Sequence, residues 1–394
     1  MIAVVNADIY TGDGQVYTGG TILVENGKIA AFGTDIDIPQ ESEVMDAEGA
    51  PVTPGLVEAH GHVGVSNQGM GWEGSDTNES TDPVTSQVSA LDGINPEERG
   101  FRDLLRGGVT TVQVMPGSAN IIGGEAVTIK AKPTPVVDEV ILKRPTGMKS
   151  ALGENPKRAY GRRKKDAPMT RMGSAAMLRE WLRKARDYHN DEQQACCDSD
   201  ADKNEGRKGK YDARLEALGG VIRGEVPLRI HAHRADDIVT AVRIAEEFGI
   251  KYSIEHCTQG FKLAEFLAER DVYSAVGPCL SKESKVELED VGFKTPVALH
   301  EAGANFCLTT DHPVVRAMYL NMIAGMASAY GVGDEAALRA VTLSAAEHVG
   351  VADRVGSISE GKDADLVIWT GDPLDGRSFA ETVIIDGEVV YERE

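Results

Sequence analysis

Between Thr53 and Asp353 the chain alternates short apolar runs with stretches whose apolar residues recur at helical spacing. "GVTTVQVMPG" predicts a strand and a turn, and "PLRIHAH", "KYSIEHC", "VYSAVGP" and "FCLTTD" predict further strands. "AAMLREWLRKARDYH" brings Met177, Leu178, Trp181, Leu182, Ala185 and Tyr188 to one helical face. "DDIVTAVRIAEEFG" is a second amphipathic helix, closed by Gly249. "FKLAEFLAERD" and "PVALHEAGA" follow the same pattern. Strands alternating with helices predict βα units around a parallel sheet.

Both ends of the chain read differently. "TILVENGKIAAFG" holds two apolar runs joined at Asn26-Gly27, and "TVIIDGEVVYE" turns at Asp386-Gly387. Asn-Gly and Asp-Gly are hairpin turns because both residues accept positive φ. The predicted fold is therefore α/β: a (β/α)8 TIM-type barrel over 54–353, with a small β-sandwich domain formed from both chain termini, 1–53 plus 354–394. Two segments break the alternation. Residues 66–99 are polar, acidic and Gly-rich, and long loops after barrel strands form the mouth of the active site. Residues 189–212 are almost wholly polar and are expected to be a mobile surface excursion. The adjacent Cys196 and Cys197 within it read better as exposed residues than as a redox or metal element.

Composition narrows the function classes. A hydrophobic content of 41% and a charged content of 26% are those of a water-soluble globular chain. The formal net charge of −21 argues against nucleic acid or an anionic membrane as partner. There is no apolar run of transmembrane length and no basic n-region at the start. Five cysteines in 394 residues form no disulfide framework, so a cytoplasmic location is expected.

The candidate chemistry lies at strand ends. Alternate residues of a strand share a side, so in "GLVEAHGHV" the side chains of Leu56, Glu58, His60 and His62 face one way. Val57, Ala59 and Val63 face the other, suited to packing on outer helices. Two imidazoles at the C-terminal end of a barrel strand can chelate one cation at about 2.0–2.1 Å each. "PLRIHAHRADD" repeats the pattern with His231 and His233, "SIEHC" ends in His256, and "FCLTTDHP" ends in Asp311 followed by His312. His189, His300 and His348 stand outside this pattern and are read as surface or packing residues. One such histidine would mean little; an ordered series at successive strand ends predicts a metal site.

The segments "PGLVEAHGH", "RIHAH", "IEH", "LTTDHP" and "GSISEGKDADLVIWTGDP" together resemble the amidohydrolase superfamily of metal-dependent hydrolases, specifically its imidazolonepropionase-like group. The resemblance covers essentially the whole chain. It implies that His60 and His62 are the ligands of strand 1, His231 that of strand 5, His256 that of strand 6 and Asp311 that of strand 8. His233 is then substrate-facing or packs behind the ligands, and His312 is a further substrate-binding candidate. For a ligand bridging two cations, "GMKSALGENPKRAYG" offers Glu154, the preferred candidate, and Lys149, which would need carboxylation by CO2 first. Alternatively, Lys149, Lys157 and Arg158 bind an anionic part of the substrate. The implied cofactor is a divalent metal, best Zn2+, as one or two ions, with Mn2+, Fe2+ or Co2+ as alternatives. The metal would acidify a water and polarise the scissile carbonyl. Asp311 would be the general base, and His256, with His233 or His312, would steady the developing oxyanion.

The expected activity is hydrolysis of an amide C–N bond in a cyclic amide or peptide-like small molecule. Deamination of a ring amine is the alternative, disfavoured because Arg234 stands where such deaminases carry an acid. A non-catalytic scaffold is the third reading; none of the five matched ligand positions is missing. Many relatives are oligomers, so a homo-oligomer is compatible with the resemblance. "GSANIIGGEAVTIK", Gly117 to Lys130, reads either as a loop whose backbone approaches the substrate or as simple turns. No GxGxxG after a strand, GxxxxGK[ST] or GxSxG is present, so nucleotide binding and serine-hydrolase chemistry have no support.

Overall fold

The computed structural model describes residues 1–197 and 211–394. Five strands come from the N-terminus: β1 (Ile2–Tyr10), β2 (Val16–Glu25), β3 (Lys28–Gly33), β4 (Glu43–Asp46) and β5 (Pro51–Pro54). Eight follow in the central region. They are β6 (Leu56–Gly61), β7 (Val109–Val114), β8 (Ile122–Lys130), β9 (Ile141–Ala151), β10 (Leu228–Ala232), β11 (Tyr252–His256), β12 (Tyr273–Val276) and β13 (Phe306–Leu308). The C-terminus supplies β14 (Leu366–Trp369), β15 (Ala380–Ile385) and β16 (Glu388–Glu392).

The terminal strands join one sheet in the order β16-β15-β14-β5-β1-β2-β3, with β4 paired to β1. Its own apolar core draws Val4, Ile22, Val24 and Ile29 from the first strands and Leu366, Ile368 and Ile384 from the last. The two hairpin turns behave as their sequences predict: Asn26 and Asp386 have positive φ, each followed by a glycine that shares it.

The central strands lie in chain order, β6 to β13, and nearly close on themselves. His62 N donates to His312 O at 2.8 Å, and Thr309 Oγ1 donates to His60 O at 2.9 Å across the seam between first and last strands. One strand departs from the uniform (β/α)8 expectation. β8 runs antiparallel to both β7 and β9. The reason is length: only residues 115–121 connect β7 to β8, too few for the dozen or more that a parallel crossover needs. The Gly117–Lys130 stretch thus divides into a short turn and a strand.

Val57 and Ala59 of β6 pack, as expected from their parity, in one apolar cluster with Ala345, Ala346 and Val349 of the helix Leu343–Val349. Two contacts tie the terminal sheet to the barrel. Trp369 is buried with its indole N–H donating to Thr53 Oγ1 at 2.8 Å. Its ring passes so close to Gly108 that a Cβ there would meet it at 2.9 Å. Lys130 of β8 places its ammonium against Asp363, Asp365 and Asp386. The helix Arg171–Cys197 extends well into the 189–212 stretch expected to be a surface excursion. The rest of that stretch, and the side chains of Cys196 and Cys197, lie outside the described residues.

Candidate metal centre

The C-terminal ends of the barrel strands bring together most of the sequence candidates. His60 and His256 have ring centroids 4.6 Å apart, His231 and His256 4.4 Å, and His231 and His233 4.6 Å. Asp311 Oδ1 lies 3.2 Å from His62 Nε2 and 3.8 Å from His60 Nε2. Ligand atoms of His60, His256 and Asp311 form one tight group, and those of His231, His233 and His256 another.

Each imidazole is oriented by what its other nitrogen touches. His60 Nδ1 is 2.7 Å from Glu255 Oε2, His62 Nδ1 is 2.8 Å from Met115 O, and His256 Nδ1 is 2.9 Å from Gly277 O. An acceptor at Nδ1 places the proton there and leaves Nε2 as a lone pair, the usual support of a metal-ligating histidine; at His60 that lone pair meets Lys149 Nζ at 2.9 Å. His231 is the reverse case: its Nε2 is 3.3 Å from Asn155 Nδ2, and its buried Nδ1 has no hydrogen-bond partner among the described residues. Gly277 is required for its part, because its φ is +147° and a Cβ would lie 2.1 Å from Thr309 O.

Electrostatics agree with this geometry. Burial holds His60 down at about 3, helped by the Lys149 ammonium, and pushes His231, His233 and His256 down as well. Neutral imidazoles are the form that binds a cation. Burial alone would raise Asp311, but His256 and His62 overrule it and hold the carboxyl far below the usual range. Its buried Oδ1 makes no hydrogen bond of good geometry, although His62 Nε2 lies 3.2 Å away. A carboxylate oxygen without a hydrogen bond, facing imidazole Nε2 atoms, is a donor set that fits a divalent cation.

The two candidates for the bridging position are separated by the structure. Lys149, inside β9, is buried, with Nζ 2.9 Å from His60 Nε2 and 3.3 Å from Met115 Sδ. Burial lowers its ammonium to about 8 against the pull of Glu255 and Asp311. Glu154 lies beyond the strand end, after Gly153 at φ +82°. Its carboxylate is turned to Arg158 at 2.6 Å instead of toward the histidines. The structure thus brings Lys149, and not the preferred Glu154, to the centre.

His233 lines the cleft and bonds Thr258 Oγ1 through Nδ1 at 2.8 Å. His312 does not line it. This ring is buried behind the site, with Nδ1 accepting from Ala317 N at 3.2 Å and Nε2 3.2 Å from Gln68 Nε2. Burial lowers it to about 4. The cleft itself has a volume of about 300 Å3 and is bordered by Ser66, Thr77 and Asn78 of the 66–99 loop and by Gly117 and Ser118 of the β7–β8 turn.

Several supporting residues escaped the sequence reading. Glu58 shares the His60 side of β6, as parity indicated. It accepts from Thr310 N at 3.0 Å and from the hydroxyls of Thr309 and Thr310, pinning the strand end that carries Asp311. Burial outweighs these bonds and pushes Glu58 up to about 7. Glu255, the neighbour of His256, should face away from it on strict alternation. His256 has φ +73° and Cys257 φ +51°, so the pleat breaks here and both side chains turn inward. Glu255 in turn meets His348 Nε2 at 3.2 Å, and His348 lies 3.1 Å from Arg229 NH1. The "IEH" string contained no signal for this buried chain of polar groups.

Residues 52–390 match the model of the Amidohydrolase family. The chain belongs to the amidohydrolase family. A solved amidohydrolase from Thermotoga maritima MSB8 is 42% identical, with a TM-score of 0.94 and full coverage of both chains. The amidohydrolase tasK of Hapsidospora irregularis is 31% identical over 98% of this chain, which spans 41% of that protein's length. The imidazolonepropionase of Cupriavidus taiwanensis is 24% identical over 94% of this chain and 90% of its own. The barrel with a separate sheet from both termini is the amidohydrolase fold expected from the sequence. Among the described residues no helix is long and apolar enough to cross a membrane.

Proposed function

We propose that this amidohydrolase cleaves an amide C–N bond of a small molecule, cyclic or peptide-like, at a centre for two divalent cations. The observation that carries the reading is the approach of His62 Nε2 (3.2 Å) and His60 Nε2 (3.8 Å) to the buried Asp311 Oδ1, with His256 in the same group of candidate ligand atoms. In this reading His60, His62 and Asp311 would hold one cation and His231 and His256 the other. Lys149 would supply a further carboxylate ligand after its neutral amine adds CO2 and releases a proton to become a carbamate. Zn2+ suits the mixed imidazole and carboxylate set best. A cation held there polarises the scissile carbonyl and acidifies a water toward a pKa of about 7.

The chain's own groups do the rest. Asp311 takes the proton of the attacking water and passes it to the leaving nitrogen; its lowered pKa keeps the carboxylate ionised at the start. His233, at the cleft wall, donates to the substrate oxygen as charge builds there. Glu255 and Met115 O keep His60 and His62 in place throughout.

The deaminase alternative gains nothing from the site, since Arg234 is paired with Asp236 at 2.9 Å instead of presenting an acid beside His231. A metal assay followed by a substrate screen that scores amide cleavage and ammonia release separately tests the reading. Amide cleavage dependent on bound metal is expected. Ammonia release from ring amines without amide cleavage would replace it with the deaminase. A protein that binds no divalent metal, with Asp311→Asn indistinguishable from wild type, would leave only the scaffold.

A further inference from the structure

The chain carries a net charge of −21, which should repel an anionic substrate from any average point on its surface. One stretch reverses the sign. Lys157, Arg158, Arg162, Arg163, Lys164 and Lys165 lie within nine consecutive residues that contain no acid. The stretch starts two residues after Asn155, which lines the catalytic cleft. It is anchored beside the mouth, where Tyr160 donates to Asp82 O at 2.7 Å and Lys164 to Ser80 O, next to the cleft residue Asn78. Arg158 pairs with Glu154, whereas Lys157, Arg162, Arg163 and Lys165 have no carboxylate partner among the described residues. So dense a positive strip in so acidic a chain, with most of its cations lacking a carboxylate partner among the described residues, acts as an electrostatic guide.

Inside the cleft a second observation points the same way. Lys285 sits on its wall, with Nζ 2.6 Å from Glu287 Oε1 and 2.9 Å from Asn155 Oδ1. An ammonium has three donors, so one remains without a partner among the described residues. Four residues back, the Ser281 hydroxyl also lines the cleft; it is buried and has no hydrogen-bond partner. The described lining has no Phe, Tyr or Trp, so an apolar ring would find little to stack on. Two unspent donors lining one cleft, an ammonium N–H and a hydroxyl, fit an acceptor with two oxygens, which Lys285 can bind while it stays paired with Glu287.

We propose that the substrate carries a carboxylate bound by Lys285 and Ser281, and that the Lys157–Lys165 segment draws such substrates to the cleft. The proposal rests on the hydrolase reading above and names the substrate class of that site. Lys285 and Ser281 are specificity-determining residues, and the basic segment acts on encounter.

The experiment pairs N-acetyl amino acids with their carboxamides on the metal-loaded full chain, in wild type, Lys285→Met and the double variant Arg162→Glu, Arg163→Glu. Loss of a charged hydrogen bond is expected to raise KM for the acids about tenfold to a hundredfold more than for the amides in Lys285→Met. In the double variant kcat/KM for the acids should fall and lose its dependence on ionic strength, while kcat holds. Equal turnover of acids and amides by wild type, or discrimination that survives in Lys285→Met, overturns the proposal and leaves the hydrolase reading intact. If neither series is cleaved, the hydrolase reading fails for these amides, and calorimetric binding of the same pairs decides the inference separately. Acid-selective binding that disappears in Lys285→Met supports it; equal binding of acid and amide overturns it.

Discussion

Lys149 Nζ and His60 Nε2 lie 2.9 Å apart, both side chains buried at the C-terminal end of the barrel. An ammonium donating to the lone pair that a cation would use competes with that cation. The same amine turned into a carbamate becomes a ligand, so this single contact separates two states of the site. Lys149→Met should therefore remove the bridging group without disturbing the strand, whose apolar neighbours tolerate the methionine. Metal analysis should find at most one cation per chain. The fall in kcat/KM should be roughly hundredfold or more, exceeding the usual loss for a residue that only supports a ligand.

Glu154→Ala should leave metal content and kcat within about twofold of wild type, because the carboxylate is spent on Arg158 at the surface. Loss of a cation in this variant, measured by the same metal analysis, would restore Glu154 as the bridging ligand.

Glu255→Gln should lower metal affinity about tenfold to a hundredfold while activity at saturating metal is largely retained. The carboxylate holds His60 Nδ1 at 2.7 Å, and His348 and His60 keep it ionised despite its burial. Titration with a chelator-buffered series of Zn2+ concentrations reads the effect. An unchanged affinity would mean that His60 needs no orienting partner.

The sequence made the candidate ligand positions legible and much of their support illegible, for one physical reason. Strand parity is readable from composition, and it correctly grouped Glu58, His60 and His62 on one side of β6. It fails where the backbone leaves the pleat, as at His256 and Cys257, and so Glu255 was not found. Glu154 reads as the stronger candidate because the extent of β9 cannot be read from "GMKSALGEN"; the strand runs to Ala151 and carries Lys149 inward. The antiparallel β8 follows from a loop too short for a crossover, and its nine residues read as glycine-rich turn instead. His312, a substrate-binding candidate from its place beside Asp311 in sequence, is buried behind the cleft wall.

Stability should carry a pH signature from the junction between sheet and barrel. Burial pushes Asp365 up to about 6 even though Lys130 pulls it down, while the same carboxylates keep the Lys130 ammonium charged. Between about pH 4 and pH 6 the folded chain holds a proton there that the unfolded chain has released, so this group's contribution to stability falls as pH rises through that window. A difference of that size is worth about 3 kcal/mol at most. Asp365→Asn retains an acceptor for Lys130, which also keeps Asp363 and Asp386. The variant should gain on wild type from pH 4 to 6 and hold that gain above. Urea midpoints at pH 4, 6 and 8 measure it, and a constant difference across the three would remove Asp365 as the source.

Asp311→Asn should retain the fold yet lose about 10²- to 10⁴-fold in kcat, the range for a displaced general base. Circular dichroism confirms the fold while initial rates read the loss. A variant within tenfold of wild type would shift the proton transfer to another group.

The two-cation centre bridged by Lys149 is tested most directly by anomalous scattering from crystals of the Zn2+-loaded protein. The account predicts two anomalous peaks, one among His60, His62 and Asp311 and one between His231 and His256, with density for a carbamate on Lys149 joining them. A single peak, or two peaks with Lys149 unmodified and the Glu154 carboxylate between them, would contradict it.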